Sequence, residues 1–308
     1  MILIISRFSD TNINHFLQLE INHIWRTMKR DPSKQYSVFL FHHDPERADS
    51  VWRVEFLMKL LGDKDLLHIG SLPVGIQFEK TIDISHHLKW NAEGPMVDPF
   101  NFAYECKDED SRLYAEMVAR VNVNKIVRDK KTLFIDRPQG RRLLDKVTGR
   151  ELKDVLLENV DSLEITTFQG LTLEEQMAKV ASAHTIIGAH GAALTNIIFA
   201  EPGTRVLEVS FRKYWHCDPV CYKHMIGEIP YEEPCSKKTS RPYHKADYRN
   251  LAVAFGLLYS EVENEGCRDF LNDNPINVSA MYVDAAKIIK LLSVVYETCP
   301  LDKNNYIL

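Results

Sequence analysis

The richest stretch of chemistry-bearing residues is HTIIGAHGAALTNIIFAEPGTRVLEVS, residues 184–210. Thr185, Ile186 and Ile187 form a short apolar, β-branched run that suits a buried parallel strand. Gly188, His190, Gly191, Ala192 and Ala193 follow, small enough for a tight backbone turn and for close approach of a ligand. Residues 192–199 read as a helix, ended by Pro202-Gly203, and Arg205 to Val209 as the next strand. Such a strand-to-helix turn aims free amides and a positive helix end at one point, which makes an anion site whose commonest occupant is a diphosphate. His190 sits on the turn. Glu208 lies near the end of the following strand, where a carboxylate could take both hydroxyls of a ribose. Neither GxGxxG nor GxxxxGK[ST] occurs in the chain, so the dinucleotide fingerprint and the P-loop are absent.

A second cluster follows the strand Thr132 to Ile135. Arg137, Arg141 and Arg142 crowd the segment DRPQGRRLLD. Guanidinium groups past a strand end suit a diphosphate through bidentate, charge-assisted bonds. Phe168, Gln169 and Gly170 form another such loop, placed to lie over a base or ribose. In the first third of the chain, His15 lies at the start of a long helix with Glu20 further along it. His42, His43 and Asp44 follow the strand VFLF, and Asp83 ends another short strand. Polar residues just past strand ends are where doubly wound sheets place their sites. His15, Glu20, Asp44 and Asp83 are therefore the candidate proton acceptors.

These side chains need an alternating scaffold, and the chain supplies one. Strands are expected at 1–5, 36–41, 66–69, 81–84, 132–135, 162–166, 185–187 and 205–209. Helices are expected at 10–28, 48–61, 108–123, 151–158, 172–183 and 283–295. Thr172 and Glu175 have the spacing of a capping box. This βαβα series predicts α/β architecture with parallel sheets covered by helices on both faces. The charged stretch NKIVRDK, residues 124–130, marks the expected boundary between domains 1–127 and 128–308, with the last helix packing back on the first domain.

Composition narrows the function classes. The chain has 308 residues, 45% hydrophobic and 26% charged, with a formal net charge of −5, as in an ordinary globular protein. An acidic balance argues against general nucleic-acid binding, which wants a basic face. No run approaches the roughly 20 apolar residues of a membrane span, and MILII reads as a first strand rather than a signal core. A cytoplasmic or otherwise soluble protein is expected, or a lumenal one from which an anchor was removed. The six cysteines are too scattered for a disulfide framework. The order His216, Cys217, Cys221, His224 matches no common zinc spacing. Asp63-Lys64-Asp65 and Asp108-Glu109-Asp110 are formal DxD triplets at a helix end and a helix start, where acids favour the dipole or solvate. No metal site is expected.

The string His190, Gly191, Ala192, Ala193, Leu194, Thr195, Asn196, with Pro202, Gly203 and Glu208, resembles the C-terminal signature of glycosyltransferase family 61. The arginine segment resembles the family's matching strand, whose arginines grip a nucleotide diphosphate; Arg137 and Arg142 fit best, then Arg141. Asp145 stands where the family usually has Asn. Asn12, Asn14, His15, Phe16 and Leu17 resemble the start of the family's N-terminal helix. The acid expected four residues beyond the histidine is replaced by Leu19, with Glu20 one position later. At 100° per residue that offset would turn Glu20 away from the cleft. The resemblance implies a GT-B arrangement, two Rossmann-like domains facing across a cleft. It implies an inverting, metal-independent transferase that needs no cofactor. A sugar of the xylose or N-acetylglucosamine type would pass from a UDP-sugar to a hydroxyl of a glycan or glycoprotein. By the same resemblance Arg137, Arg141, Arg142, Phe168, His190, Gly191, Ala192, Ala193, Asn196 and Glu208 would bind the donor nucleotide. His15, Glu20 or Asp44 would serve catalysis. A catalytically silent sugar-nucleotide or glycan binding protein of the same fold is the alternative, and Glu20's displacement is its main support.

Overall fold

The computed structural model describes residues 1–6, 16–40, 48–62, 66–69, 71–72, 74–84, 108–121, 131–138, 140–210, 247–270 and 278–293. The chain divides into two compact units. The first comprises residues 1–126, 169–178 and 246–255, and the second 127–168, 179–245 and 256–308.

The first unit holds a four-stranded, all-parallel sheet in the order β3-β2-β1-β4. Its strands are β1 (Ile2–Ser6), β2 (Tyr36–Leu40), β3 (Leu66–Ile69) and β4 (Lys80–Asp83). β1 and β2 are apolar and buried almost throughout, as a parallel strand covered on both faces must be. Helices α1 (Ile21–Arg30), α2 (Ala48–Leu60) and α3 (Asp108–Val121) belong to this unit. Ahead of α1, Phe16–Glu20 form a π-helical turn. Phe16 is fully buried, edge-on to Trp52 at 5.0 Å and to Phe56 at 6.0 Å between ring centres.

The second unit is built on a five-stranded parallel sheet ordered β10-β9-β8-β5-β7. The strands are β5 (Thr132–Ile135), β7 (Leu163–Thr166), β8 (Thr185–Ala189), β9 (Arg205–Ser210) and β10 (Leu258–Glu263). A smaller sheet, β11-β12-β6, joins β6 (Arg142–Asp145) in parallel to β12 (Val278–Val283), which pairs antiparallel with β11 (Gly266–Phe270). Strand β6 was not expected: RLLD follows the arginine-rich turn so closely that its four residues read as loop. One face of the large sheet presents Phe134, Ile187, Ala189, Leu207, Val209 and Val262. These pack with Leu143, Met281 and Val283 and with helices α4 (Leu152–Leu157) and α7 (Ala285–Ser293). Burial of such side chains contributes about 1.5–3 kcal/mol each. The last helix thus contributes Ala285 and Ile288 to the core of the second unit. Segments 169–178, at the start of α5 (Leu173–Ser182), and 246–255, around α6 (Asp247–Ala254), are the ones that group with the first unit.

The capping box forms as its spacing predicts. The Glu175 amide donates to Thr172 Oγ1 at 3.2 Å, and the Thr172 amide donates to Glu175 Oε2 at 2.8 Å, so two amides that the helix itself cannot pair are satisfied. No helix among the described residues is long and apolar enough to cross a membrane.

Asp145, where the resembled family has Asn, has a structural task. Its Oδ2 accepts from the Thr148 amide at 2.8 Å and hydroxyl at 2.7 Å, and its Oδ1 from the Ala285 amide at 3.3 Å. Burial opposes the charge, but the Thr148 bonds and the amides of Ala285 and Val147 hold the carboxyl below its ordinary range. Asp145 therefore ties the β6 turn to the start of α7. Asp145→Ala is expected to cost about 1–3 kcal/mol, the penalty for orphaning such donors. The contribution is present above the unfolded carboxyl value of about 3.9 and is lost as pH falls through the lowered folded value. Urea unfolding of both proteins should show the difference near pH 7 and its shrinkage at acid pH.

Candidate functional site

Parallel strands bring their carboxyl ends to one edge of a sheet, and in the second unit the predicted residues arrive there from separate loops. Arg137 and Arg141 follow β5, Phe168 follows β7, and His190 follows β8. In register, Ile135 pairs with Gly188 and Gly188 with Glu208. Side chains alternate along a strand, so Gly188, His190 and Glu208 share one face, opposite the apolar face described above. Gly188 is closely packed: a Cβ there would lie 3.2 Å from Leu194 Cδ1, so that the leucine would have to give slightly, and in ordinary contact with Ile135 Cβ at 3.5 Å.

The turn after β8 centres on Gly191. Its backbone, φ 151° and ψ 171°, lies in a region that glycine almost alone occupies. The segment Ala192–Phe199 is a 3-10 helix rather than the expected α-helix. Its first bond runs from the Leu194 amide to the Gly191 carbonyl at 2.8 Å. The amides of Ala192 and Ala193 therefore precede the helix's own ladder and are left unpaired by it. These two residues are half-buried, whereas Leu194 to Phe199 are buried.

Two guanidinium groups converge on that turn. Arg141 Nη1 donates to the His190 carbonyl at 2.6 Å, and Arg137 Nη1 reaches the same oxygen at 3.4 Å. A Cβ built on Gly191 would fall 2.0 Å from Arg137 Nη1 and 2.9 Å from Arg141 Nη1. Arg141 holds this position with a left-handed backbone, φ 55°, after Gly140 at φ 91°. That conformation costs a non-glycine residue about 1–3 kcal/mol, and such strain gathers at functional positions.

Arg142 takes another course. It begins β6, and its Nη1 bonds Glu151 Oε1 at 2.8 Å. Of the three arginines, Arg137 and Arg141 are the two at the Gly191 turn, and Arg142, expected there with Arg137, is not. Arg141 lies before the strand with a left-handed backbone, φ 55°, and Arg142 is its first residue, so the change of backbone between them separates the turn from the small sheet.

Glu208 also differs from expectation. It is 3% exposed, and both its oxygens are committed. Oε1 lies 2.5 Å from His190 Nδ1, and Oε2 accepts from the Tyr259 hydroxyl at 2.5 Å. A carboxylate held this way fixes the imidazole instead of presenting two oxygens to a ribose. Tyr259 escaped sequence reasoning because nothing around it in LLYSEVE marks it; only the β9–β10 register places it beside Glu208.

Asn196 is wholly buried, and its Nδ2 donates to the Ala193 carbonyl at 3.1 Å. It braces the first turn of the 3-10 helix from within, while its buried Oδ1 has no hydrogen-bond partner. Phe168 is half-buried two residues beyond β7.

In the first unit Glu20 is 0% exposed. Ser6 at the end of β1 donates to Oε1, and Arg53 Nη2 to Oε2 at 2.7 Å. Burial pushes its carboxyl above the ordinary range, against the pull of Arg53 and Ser6. Reckoning 100° per residue assumed an α-helix. The π-helical turn at Phe16–Glu20 spans an extra residue per bond, and Glu20 points into the core, so it is corrected from candidate base to buried ion-pair partner. Asp83 ends β4, in register with Ile5 of β1, and is half-buried. His15 and Asp44 lie outside the described residues, as do His42, His43, and the His216 to His224 segment. Among the described residues no three His, Cys, Asp or Glu side chains cluster to hold a metal.

The sequence model of the family Glycosyltransferase 61 matches residues 71–207. Beta-1,2-xylosyltransferase RCN11 of Oryza sativa subsp. japonica is 40% identical over 47 residues, 15% of this chain and 9% of that protein. The match thus spans less than a tenth of the relative's length. Among solved structures, the iron-containing dodecameric glycosyltransferase TibC of enterotoxigenic E. coli aligns at 9% identity and TM-score 0.39, over 69% of this chain and 58% of that one. E. coli heptosyltransferase WaaC with ADP-2-deoxy-2-fluoro heptose aligns at 9% identity and TM-score 0.40, over 95% and 99%. The residues that match glycosyltransferase family 61, 71–207, include Arg137, Arg141 and the turn at Gly191.

Proposed function

We propose that the chain is an inverting glycosyltransferase that moves a sugar from a UDP-sugar to a hydroxyl of a glycan or glycoprotein, without a metal. The convergence of Arg137 and Arg141 on the Gly191 turn carries this reading. Two fixed cations beside the free amides of Ala192 and Ala193 can balance a diphosphate in the way a divalent ion otherwise would.

In the reaction, the acceptor oxygen attacks the anomeric carbon from the face opposite the diphosphate. The new C–O bond forms as the bond to the β-phosphate oxygen breaks, and the electron pair leaves with UDP. A base takes the acceptor proton. His15 is the leading candidate, with Asp44 and Asp83 behind it. Arg137, Arg141, the 3-10 helix amides and His190 hold the departing charge, with Phe168 against the base or ribose. Such preorganised donors commonly supply several kcal/mol. The likeness to a xylosyltransferase supports UDP-xylose as the first donor to try.

Calorimetry of UDP in EDTA tests the nucleotide half, with binding expected to be unchanged by chelation. Abolition of binding by EDTA, restored by a divalent ion, would refute the metal-free reading. A donor panel with glycan acceptors tests the transfer half. The burial of Glu20 favours a second reading, a binding protein without catalysis, for which UDP would bind and no donor would be consumed.

A further inference from the structure

We infer that Tyr259 is a positioning residue of the donor site, acting through Glu208 on His190; the inference rests on the nucleotide-site reading above. The three side chains form one buried chain of hydrogen bonds. The Tyr259 hydroxyl donates to Glu208 Oε2 at 2.5 Å, and Glu208 Oε1 lies 2.5 Å from His190 Nδ1. Tyr259 is 8% exposed, Glu208 3% and His190 8%.

Register explains the convergence. Glu208 pairs with Gly188 on one side and with Glu261 on the other. Tyr259 is two residues before Glu261, so it shares a face with Glu208 and His190. The contact spans 51 residues of sequence.

The geometry constrains the histidine at both ends. Its main chain is pinned, the amide donating to the Val209 carbonyl at 2.8 Å and the carbonyl accepting from Arg141. Glu208 at Nδ1 places that ring proton between them, so Nε2 becomes the atom that exchanges a proton or donates outward. A carboxylate with only one oxygen satisfied can swing about its χ angles. With Tyr259 on the second oxygen, Glu208 has one orientation and so has the ring. The diphosphate-holding turn begins at the next residue, Gly191. The tyrosine on the edge strand β10 is thereby connected to the site without touching the donor.

A double-mutant cycle tests this. UDP affinity is measured by calorimetry from about pH 5 to 9 for wild type, Tyr259→Phe, His190→Gln and the double variant, with melting temperatures alongside. Tyr259→Phe, which removes one oxygen, is expected to weaken UDP about tenfold and to displace the pH dependence of binding. In the His190→Gln background the same change is expected to cost nothing further. Equal losses in both backgrounds, or an unchanged pH dependence with a lowered melting temperature, would make Tyr259 merely structural and overturn the inference. Glu208→Gln, which keeps the size of the side chain, serves if Tyr259→Phe does not fold, and is expected to give the same non-additivity with His190→Gln. Arg141→Ala separates the two levels. If it weakens UDP while the cycle is additive, only the positioning role fails. If it leaves UDP affinity intact, the nucleotide-site reading fails with it.

Discussion

Gly191→Ala is expected to weaken UDP binding by about 10²-fold or more. The added Cβ would sit 2.0 Å from Arg137 Nη1 and 2.9 Å from Arg141 Nη1. Both are tips of flexible side chains, so the protein can relieve the clash by driving the guanidiniums off the turn. That relief removes the two cations proposed to hold the diphosphate. A hydrogen bond to a charged group contributes about 1.5–3 kcal/mol, and two of them amount to at least about 10²-fold in affinity at 1.4 kcal/mol per tenfold. The backbone adds a separate cost of about 1–3 kcal/mol in stability, since φ 151° suits glycine. The two effects separate experimentally: calorimetry reads the first and urea unfolding the second. In an Arg137→Ala background the worst clash is gone, so Gly191→Ala should cost clearly less in affinity there than in wild type. Wild-type UDP affinity in folded Gly191→Ala protein would mean that the arginines do not serve the nucleotide.

Arg53→Met should give a large loss of stability in the first unit. Arg53 is 2% exposed, and its Nη2 bonds Glu20 Oε2 at 2.7 Å. Its guanidinium also lies over the Phe16 ring, 5.2 Å from the centre. Methionine keeps much of the stem packing but strands a buried carboxylate. Breaking one half of a buried pair costs about 3–5 kcal/mol. The loss should depend on pH. Burial already pushes the Glu20 carboxyl up, and Arg53 is the main group pulling it back; without Arg53 it rises further. A group whose folded value is raised contributes stability that is full below the unfolded value, about 4.3 for glutamate, and is lost as pH rises through the folded value. The variant should therefore approach wild type near pH 4 and fall away toward pH 7. Adding Glu20→Gln should recover part of the loss, because a neutral amide is cheaper to bury than an unpaired charge. A deficit independent of pH, or no recovery in the double variant, would show that Glu20 is not left charged.

Local pattern alone determined much of this protein. Apolar β-branched runs such as Thr132 to Ile135 and Thr185 to Ile187 are strands because their residue types suit buried parallel pairing. Thr172 and Glu175 cap a helix because their spacing lets each reach the other's amide. Small residues at Gly188 and Gly191 foretold a tight turn at the end of a central strand, and the run from His190 to Glu208 carried the family likeness. Each of these features depends on residues within about one turn or one strand of each other.

Tertiary structure decided what depends on register between distant segments. Arg141 meets His190 across 49 residues, and Tyr259 meets Glu208 across 51. The sequence around Arg137, Arg141 and Arg142 could not say which two share a turn, because the start of β6 at Arg142 is set by its pairing with Ala280 of β12, far along the chain. Glu20 shows the same sensitivity in a helix. In the π-helical turn the acid expected to face away from the cleft lies on Ser6 and Arg53 in the core. The elements were legible because propensity and periodicity are local; the roles of Arg141, Glu208 and Glu20 were not, because side-chain direction is set by pairing between strands and by a single residue of helical phase.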